Sequence, residues 1–151
     1  MKMMSVALAL AAVPLMAQEA ARTIRRLNPP ALSKPTGYTH VVVASGGRTI
    51  YVSGQIALDQ DGKVVGVGDF RAQAKQVFEN LKAALAAAGA SFDDVVKMNI
   101  YILDMTNAPA LREVRAGYVG SNPPASTLVE VRKLARDEFL LEIEVIAVTA
   151  K

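Results

Sequence analysis

Cysteine is absent from the 151-residue sequence, and histidine occurs only once, as His40. Without thiols, a cysteine nucleophile, a disulfide framework and a cysteine-bound zinc site are all excluded. A single histidine also argues against a metal site built from several imidazoles and against a serine–histidine triad. Carboxylate, hydroxyl and guanidinium groups are therefore left to carry any chemistry, and we expect no metal ion.

Tryptophan is also missing, and aromatic residues make up only 5% of the chain. This scarcity argues against a stacking surface for single-stranded nucleic acid. Seventeen basic against fourteen acidic residues is a mild excess, unlike the basic footprint of a nucleic-acid-binding protein. The 52% apolar content and the length together favour one folded domain over disorder.

The first residues have the pattern of a secretory signal. Lys2 precedes an uncharged apolar run over residues 5–16, and Ala17 follows it. We expect cleavage after Ala17, with Ala20 as the alternative cut; a buried N-terminal helix is the other interpretation, but the run has no polar face. The run is shorter than the roughly 20 residues that span a bilayer, so we expect a mature form without a membrane span. Residues 1–17 therefore predict export to the periplasm or the exterior of a bacterium.

The segment 18–36 is polar and proline-containing, which predicts an extended arm before a single domain over 37–151. Three arginines of this arm are expected to be solvated, although a basic cluster could also contact an acidic partner: Arg22, Arg25 and Arg26.

Alternating and helical spacings follow one another from residue 37 onward. Asp69 and Asn107 are expected to cap two helices, and Gly89 to end the first. The expected strands cover 40–44, 49–53, 64–65, 95–103, 128–131 and 139–148. Two helices among about six strands predict an α+β sandwich, with a mainly antiparallel sheet and both helices on one face.

The last expected strand leaves the opposite sheet face partly apolar and uncovered, which favours oligomerisation. Glu142 and Glu144 lie on that face, where carboxylates point to solvent or to a functional cleft. Gly54, between Ser53 and Gln55, is interpreted either as simple strand termination or as a place where a backbone or ligand approaches closely.

Several segments together resemble the reactive intermediate deaminase (Rid) family, over roughly residues 28–150. They are Ile50-Tyr51-Val52-Ser53-Gly54-Gln55-Ile56, Phe78-Glu79-Asn80-Leu81-Lys82, Ala88-Gly89-Ala90, Asp94-Val95-Val96-Lys97, Pro124-Ala125, Val129-Glu130-Val131 and Glu142-Ile143-Glu144-Val145-Ile146-Ala147-Val148.

The resemblance implies a chorismate-mutase-like fold and a homotrimer with sheets facing inward and three clefts between neighbours. Family enzymes hydrolyse short-lived enamines and imines to 2-keto acids and ammonia, without a metal or a cofactor. The implied partner is thus a small-molecule metabolite. The resemblance makes Tyr38 and Ser53 substrate-binding residues and Glu142 the catalytic residue that positions water or relays a proton.

One position departs from the family pattern. The family has a carboxylate-binding arginine after Pro-Ala, whereas this chain has Ser126 and then Thr127. A hydroxyl cannot supply the two-pronged charge of a guanidinium, although both residues still offer hydrogen bonds to a ligand. Arg112, where family enzymes tend to have a cleft-lining asparagine, is either a compensating ligand for the same carboxylate or a surface helix arginine.

Three hypotheses remain open from the sequence. The first is a cofactor-free imine or enamine hydrolase that uses Glu142. The second is a small-molecule binding protein without turnover, because the arginine is replaced by Ser126. The third is an interaction or holdase-like protein that uses a surface of the trimer.

Overall fold

The structure is a computed structural model and describes residues 21–150. The expected signal segment 1–17 and both cut sites, Ala17 and Ala20, lie outside the described residues. Within the described range, the strands and helices run in chain order as β1 (Thr23–Leu27), β2 (Val41–Ser45), β3 (Arg48–Gln55), α1 (Phe70–Ala87), β4 (Val95–Ile102), α2 (Ala108–Ala116), β5 (Ala125–Glu130) and β6 (Leu141–Thr149).

The six strands form two sheets. A four-stranded sheet has the order β3-β6-β4-β5, in which only β4 and β5 run parallel, and β1 pairs antiparallel with β2 in a separate two-stranded sheet. The predicted α+β class is confirmed, with the strands divided between two sheets instead of forming one. Between residues 21 and 150, neither helix is long and apolar enough to cross a membrane.

Helix α1 begins and ends where the sequence predicts. The side chain of Asp69 accepts a hydrogen bond from the backbone N–H of Ala72, which is a standard N-cap. Past the last turn, Gly89 has a φ of +69°, a conformation that side chains disfavour and glycine adopts freely. Apolar residues at helical spacing are buried along one side: Phe70, Ala74, Val77, Phe78, Leu81 and Leu85.

The core lies between the two helices and one face of the four-stranded sheet. Strand β6 is central in this sheet, and its alternate residues are buried against the helices, as predicted: Leu141, Ile143, Val145 and Ala147. Strand β4 contributes Met98, Ile100 and Ile102 to the same layer. The residues between them must therefore face the other side of the sheet.

The predicted arm contains a strand that the sequence analysis missed. Strand β1 pairs with β2 over all five of its residues. Arg22, just before β1, forms an ion pair with Asp94 and donates a hydrogen bond to the carbonyl of Val148 at 2.9 Å. The expectation that Arg22 is solvated is therefore wrong, because its charge partner lies 72 positions away in the chain.

The start of the second helix also differs from expectation. Asn107 occupies the N-cap position of α2, as predicted, but its side chain makes no capping hydrogen bond. Instead, a one-turn 3₁₀ helix over Met105–Asn107 precedes α2, and Asp104 caps it by accepting from the N–H of Thr106 at 2.8 Å. The chain therefore turns into α2 three residues earlier than the sequence suggests.

Helix α2 is held against α1 by an aromatic contact. The ring of Tyr118, just beyond α2, stacks on Phe78 with centroids 5.0 Å apart, and its hydroxyl donates to Glu79 at 2.8 Å. Burial, with help from the Glu79 carboxylate, raises the pKa of Tyr118 to about 12. The neutral hydroxyl thus remains a donor to Glu79 across the physiological range, which fixes α2 beside α1.

A fully buried amide joins α1 to the chain before β6. Gln73 donates to the carbonyls of Gly66 and Glu138 at 3.2 and 2.7 Å, and it accepts from the N–H of Leu140 at 2.9 Å. All polar atoms of this side chain are thus used inside the protein, where an unmet backbone group is costly.

We predict that Gln73→Leu lowers the free energy of unfolding by at least about 2 kcal/mol, because three backbone groups lose their partner. Guanidinium denaturation at one fixed protein concentration measures the effect. Lys75→Gln, on the exposed side of the same helix, is the control and should change stability by less than about 0.5 kcal/mol. Equal midpoints for wild type and Gln73→Leu would contradict the role given to this amide.

Candidate functional site

The side of the four-stranded sheet turned away from the helices, called here the open sheet face, carries three of the six predicted site residues: Ser53, Thr127 and Glu142. Tyr51 of β3 is 78% exposed there, so no other described part of the chain covers it. The strand register sets Glu144 of β6 beside Asn99 of β4, and Glu142 beside Tyr101. Carboxylates from one strand and polar groups from its neighbour are therefore side by side.

Glu142 lies directly over Gly54. A Cβ atom added to Gly54 would collide with the carboxylate of Glu142. The register between β3 and β6 breaks between Val52 and Gln55, so Ser53 and Gly54 form a bulge where this carboxylate sits. The close approach expected at Gly54 exists, and the approaching group is a side chain of the same subunit.

Glu144 belongs to a hydrogen-bonded group. Asn99 donates from Nδ2 to its Oε1 at 2.7 Å, and the hydroxyl of Tyr101 donates to the same oxygen at 3.3 Å. Partial burial raises the pKa of Tyr101, and the Glu144 and Glu142 carboxylates raise it further. Glu144 is thus held in place by neighbours, whereas the carboxylate of Glu142 has no hydrogen bond to residues 21–150.

Ser126 and Thr127 point to opposite sides of β5. Thr127 pairs in register with Asn99 on the open sheet face, and its hydroxyl accepts from Lys97 Nζ at 2.7 Å. Ser126 pairs with Met98, which is buried on the helix side. The two predicted hydroxyls therefore cannot face one ligand from the same side of the sheet.

Tyr38 and Arg112 line a second feature, a cleft of about 690 Å³ between α2, the end of β1 and the loops around residues 35–39 and 119–123. We call it the basic cleft, because Arg26 and Arg115 line it as well. Arg112 lines this cleft while its side chain is exposed, so its interpretation as a compensating carboxylate ligand stays a prediction.

The loop that carries Tyr38 is anchored on both sides. Thr39 is buried, and it donates from its backbone N–H to the carbonyl of Pro124 at 3.0 Å and from its hydroxyl to Pro123 at 2.6 Å. On the other side, the ring of Tyr38 meets His40 edge-on with centroids 5.1 Å apart. Backbone contacts thus set the position of Tyr38 at the rim of the basic cleft.

The predicted site residues fall into two groups within one subunit. Ser53, Glu142 and Thr127 belong to the sheet, whereas Tyr38 and Arg112 line the basic cleft. No described cavity contains residues from both groups among residues 21–150.

Four polar residues of these two features were not predicted as site residues: Asn99, Tyr101, Arg115 and Arg26. Asn99 and Tyr101 alternate with buried Met98 and Ile100, so strand periodicity contained the signal for their position on the open sheet face. Arg115 follows Arg112 by three positions, the spacing that places two side chains on one helix face. Arg26 carried no such signal, because β1 itself was not predicted.

Within the described residues, no group of three or more histidine, aspartate or glutamate side chains is arranged to hold a metal ion. The chemistry open to the described groups is proton transfer by carboxylates and hydroxyls, and anion binding by guanidinium groups.

We predict that Gly54→Ala displaces the Glu142 carboxylate, because the new methyl group overlaps it, and lowers the free energy of unfolding by less than about 1 kcal/mol, because this side chain makes no hydrogen bond to residues 21–150. A crystal structure and a denaturation curve of the variant measure both effects. Gly120→Ala is the control, since an added Cβ there meets nothing within 4 Å. An unmoved Glu142 in the variant would refute the steric argument.

Comparison with known proteins identifies the family. The family model described as Endoribonuclease L-PSP matches residues 29–149. A RutC family protein of Pyrococcus horikoshii is 42% identical over 115 residues, which are 76% of this chain and 89% of that protein. A 2-iminobutanoate/2-iminopropanoate deaminase of Dermatophagoides farinae is 36% identical over 125 residues, 82% of this chain and 95% of that protein.

The fold comparison leads to the same group. A crystal structure of a conserved Rid family protein of unknown function from Yersinia pestis superposes with a TM-score of 0.78 at 37% identity, and the match covers 83% of this chain and 98% of that one. Because the family model spans most of the sequence, the chain belongs to the Endoribonuclease L-PSP family, as a RidA-like member.

Proposed function

We propose that this protein is a cofactor-free hydrolase of small 2-imino and 2-enamino acids, which works in clefts between the subunits of a homotrimer. An enamine first takes a proton on carbon to become the imine. Water then adds to the C=N carbon, the C–N bond breaks, and the products are a 2-keto acid and ammonia. The reaction consumes one water and needs no oxidant or reductant.

The observation that carries this proposal is the position of Glu142. Its carboxylate lies over Gly54, in the bulge that Gly54 forms with Ser53, on a sheet face that the described part of the subunit leaves uncovered. A carboxylate without a hydrogen-bond partner among residues 21–150 is free to accept a proton from water. The name of the Dermatophagoides farinae relative is that of a 2-imino acid deaminase, which supports the same chemistry.

Each group has a role in the proposed reaction. Glu142 takes a proton from the attacking water and returns it to the departing nitrogen, as a general base and then a general acid. The Ser53 hydroxyl, which is exposed beside it, hydrogen-bonds the substrate. Tyr38 and Arg112 of the neighbouring subunit hold the substrate carboxylate, because guanidinium and phenol groups both donate to it.

Because Ser126 stands in place of the family's arginine, this proposal expects weaker binding of the substrate carboxylate. Loss of one charge-assisted contact costs about 1.5–3 kcal/mol, which is one to two decades in affinity. Arg112 lies at the mouth of the basic cleft and offers a guanidinium from the other wall, in place of the missing one.

A second candidate function is binding without turnover. Ser126 favours it, because its register partner Met98 sets it on the helix side of the sheet and away from Glu142. Thr127 would then take part through its hydroxyl, which already accepts from Lys97 on the open sheet face. The ligand would be a keto acid or another small polar metabolite.

The site of action in the proposal is the periplasm or the exterior of the cell, after cleavage of residues 1–17. The motivation is the uncharged apolar run over 5–16 behind Lys2. N-terminal sequencing of the protein recovered from periplasmic and cytosolic fractions tests it, and an intact Met1 in the cytosol would overturn it.

The first prediction of the proposal concerns assembly. Light scattering after size exclusion should give a mass near three times that of one mature chain, because the open sheet face is partly apolar and uncovered. Tyr51→Glu, at the most exposed residue of this face, should shift the protein towards monomers through repulsion and desolvation. A monodisperse wild-type monomer would remove the basis for clefts between subunits.

The second prediction concerns catalysis. Wild type should accelerate 2-keto acid release from enzymatically generated 2-aminoacrylate above the buffer rate, and Glu142→Gln should lower that acceleration by about 10²-fold or more, since proton transfer by one group contributes about 10²–10⁴-fold. Glu144→Gln is a matched control on the same strand; its carboxylate is hydrogen-bonded to Asn99, so the loss should be smaller.

Ser126→Arg in the same assay separates the two candidate functions. Activity of wild type supports the hydrolase, with or without a further increase in the variant, because position 126 lies on the helix side of β5. If only Ser126→Arg is active, the natural chain is a binding protein that has lost the reaction. Circular dichroism of every variant checks that a loss of activity is not a loss of fold.

A further inference from the structure

The basic cleft contains three guanidinium groups and no carboxylate. Arg26 reaches it from β1, and Arg112 and Arg115 reach it from one face of α2. The remaining described residues that line it are neutral. The wall of the cleft therefore carries three positive charges without a counter-charge.

No carboxylate among residues 21–150 forms an ion pair with any of these three arginines. Glu113 is next to Arg112 in sequence, but it pairs with Arg71 at 2.6 Å on the other side of α2. Among residues 21–150, neither Arg112 nor Arg115 forms an ion pair. Arg26 donates from Nη2 only to the carbonyl of Asp93, at 3.5 Å, and its Nε is buried without an acceptor.

The arrangement is costly for the free protein. Burial lowers the pKa of Arg115, and repulsion from Arg112 lowers it further. The Arg115 guanidinium also packs against Gly37, in the space that a side chain at this position would occupy, so its charge lies close to the backbone of the cleft wall. Buried donors and adjacent like charges without partners are costly, and an anion that enters the cleft relieves both.

We propose that the basic cleft binds small dicarboxylates, and that the preferred substrates are 2-imino acids of dicarboxylic amino acids. The substrate part of this inference rests on the proposed hydrolase, whereas the binding part does not. One carboxylate beside the imine carbon would meet Arg112, and the second would meet Arg26 and Arg115 deeper in the cleft. Guanidinium groups suit this task because each can bind a carboxylate with two parallel hydrogen bonds.

Two keto acids of equal chain length provide the test. Isothermal titration of the full protein with 2-oxoglutarate and with 2-oxopentanoate compares a dianion with a monoanion that lacks only the second carboxylate. We expect 2-oxoglutarate to bind at least tenfold more tightly, and its affinity to fall more steeply as salt is raised. Equal affinities for the two keto acids would overturn the proposal.

Variants locate the second carboxylate. Arg115→Gln and Arg26→Gln should each reduce the preference for 2-oxoglutarate by about tenfold while changing 2-oxopentanoate binding less than twofold. Arg25→Gln is the matched control, because Arg25 is exposed and neighbours Arg26 on the opposite side of β1. A preference that survives in both cleft variants would overturn the assignment of these residues.

A third titration distinguishes a dicarboxylate site from a general anion site. Inorganic phosphate should compete with 2-oxoglutarate at least tenfold less effectively than succinate does; equal competition would overturn the proposal in favour of an unselective anion site. Turnover is measured separately. Hydrolysis of 2-iminopropanoate without a preference for dicarboxylic imino acids would support the hydrolase and refute the substrate part of this inference. Tight 2-oxoglutarate binding without any turnover would support the dicarboxylate site and refute the hydrolase.

Discussion

Strand β6 has an apolar side that must be buried and an opposite side that carries two carboxylates. The rest of the domain packs so that both requirements are met. Alternate residues from Leu141 to Ala147 are buried against the helices, so Glu142 and Glu144 must emerge on the other side. Because β3 and β4 flank β6, these carboxylates meet Gly54 on one neighbour and Asn99 and Tyr101 on the other. A shift of β6 by one residue would bury both charges. Formation of the core and of the candidate site therefore depends on the same strand register.

The domain therefore presents its reactive groups in two places. Glu142 is on the open sheet face, and Tyr38 lies at the edge of the basic cleft, where Arg112 and Arg115 bring uncompensated positive charge. A carboxylate that handles water and guanidinium groups that bind an anion are complementary halves of the proposed hydrolysis. Their separation within one subunit is what the proposed trimer would remedy, since its neighbour would bring the other half.

Much of the fold followed from local chemistry. Asp69 as a cap, Gly89 as a stop and the alternation from Leu141 to Ala147 act over a few residues, so their outcome could be predicted from the sequence. Strand β1 could not, because its residues have no alternation of their own and are ordered by pairing with β2 and by the distant ion pair of Arg22 with Asp94. The 3₁₀ turn that Asp104 caps before α2 was not predicted either, although its cap is local.

The sequence by itself determined the α+β class, the family membership and the residue types available for chemistry, because periodicity and motif spacing are properties of the chain. It also placed Glu142 and Glu144 on one face. Only the tertiary structure decided that Glu142 lies over Gly54, that Ser126 and Thr127 face opposite sides, and that Arg26 joins Arg112 and Arg115 in one cleft. These are contacts between segments far apart in the chain, and their geometry depends on how sheet, helix and loop pack together.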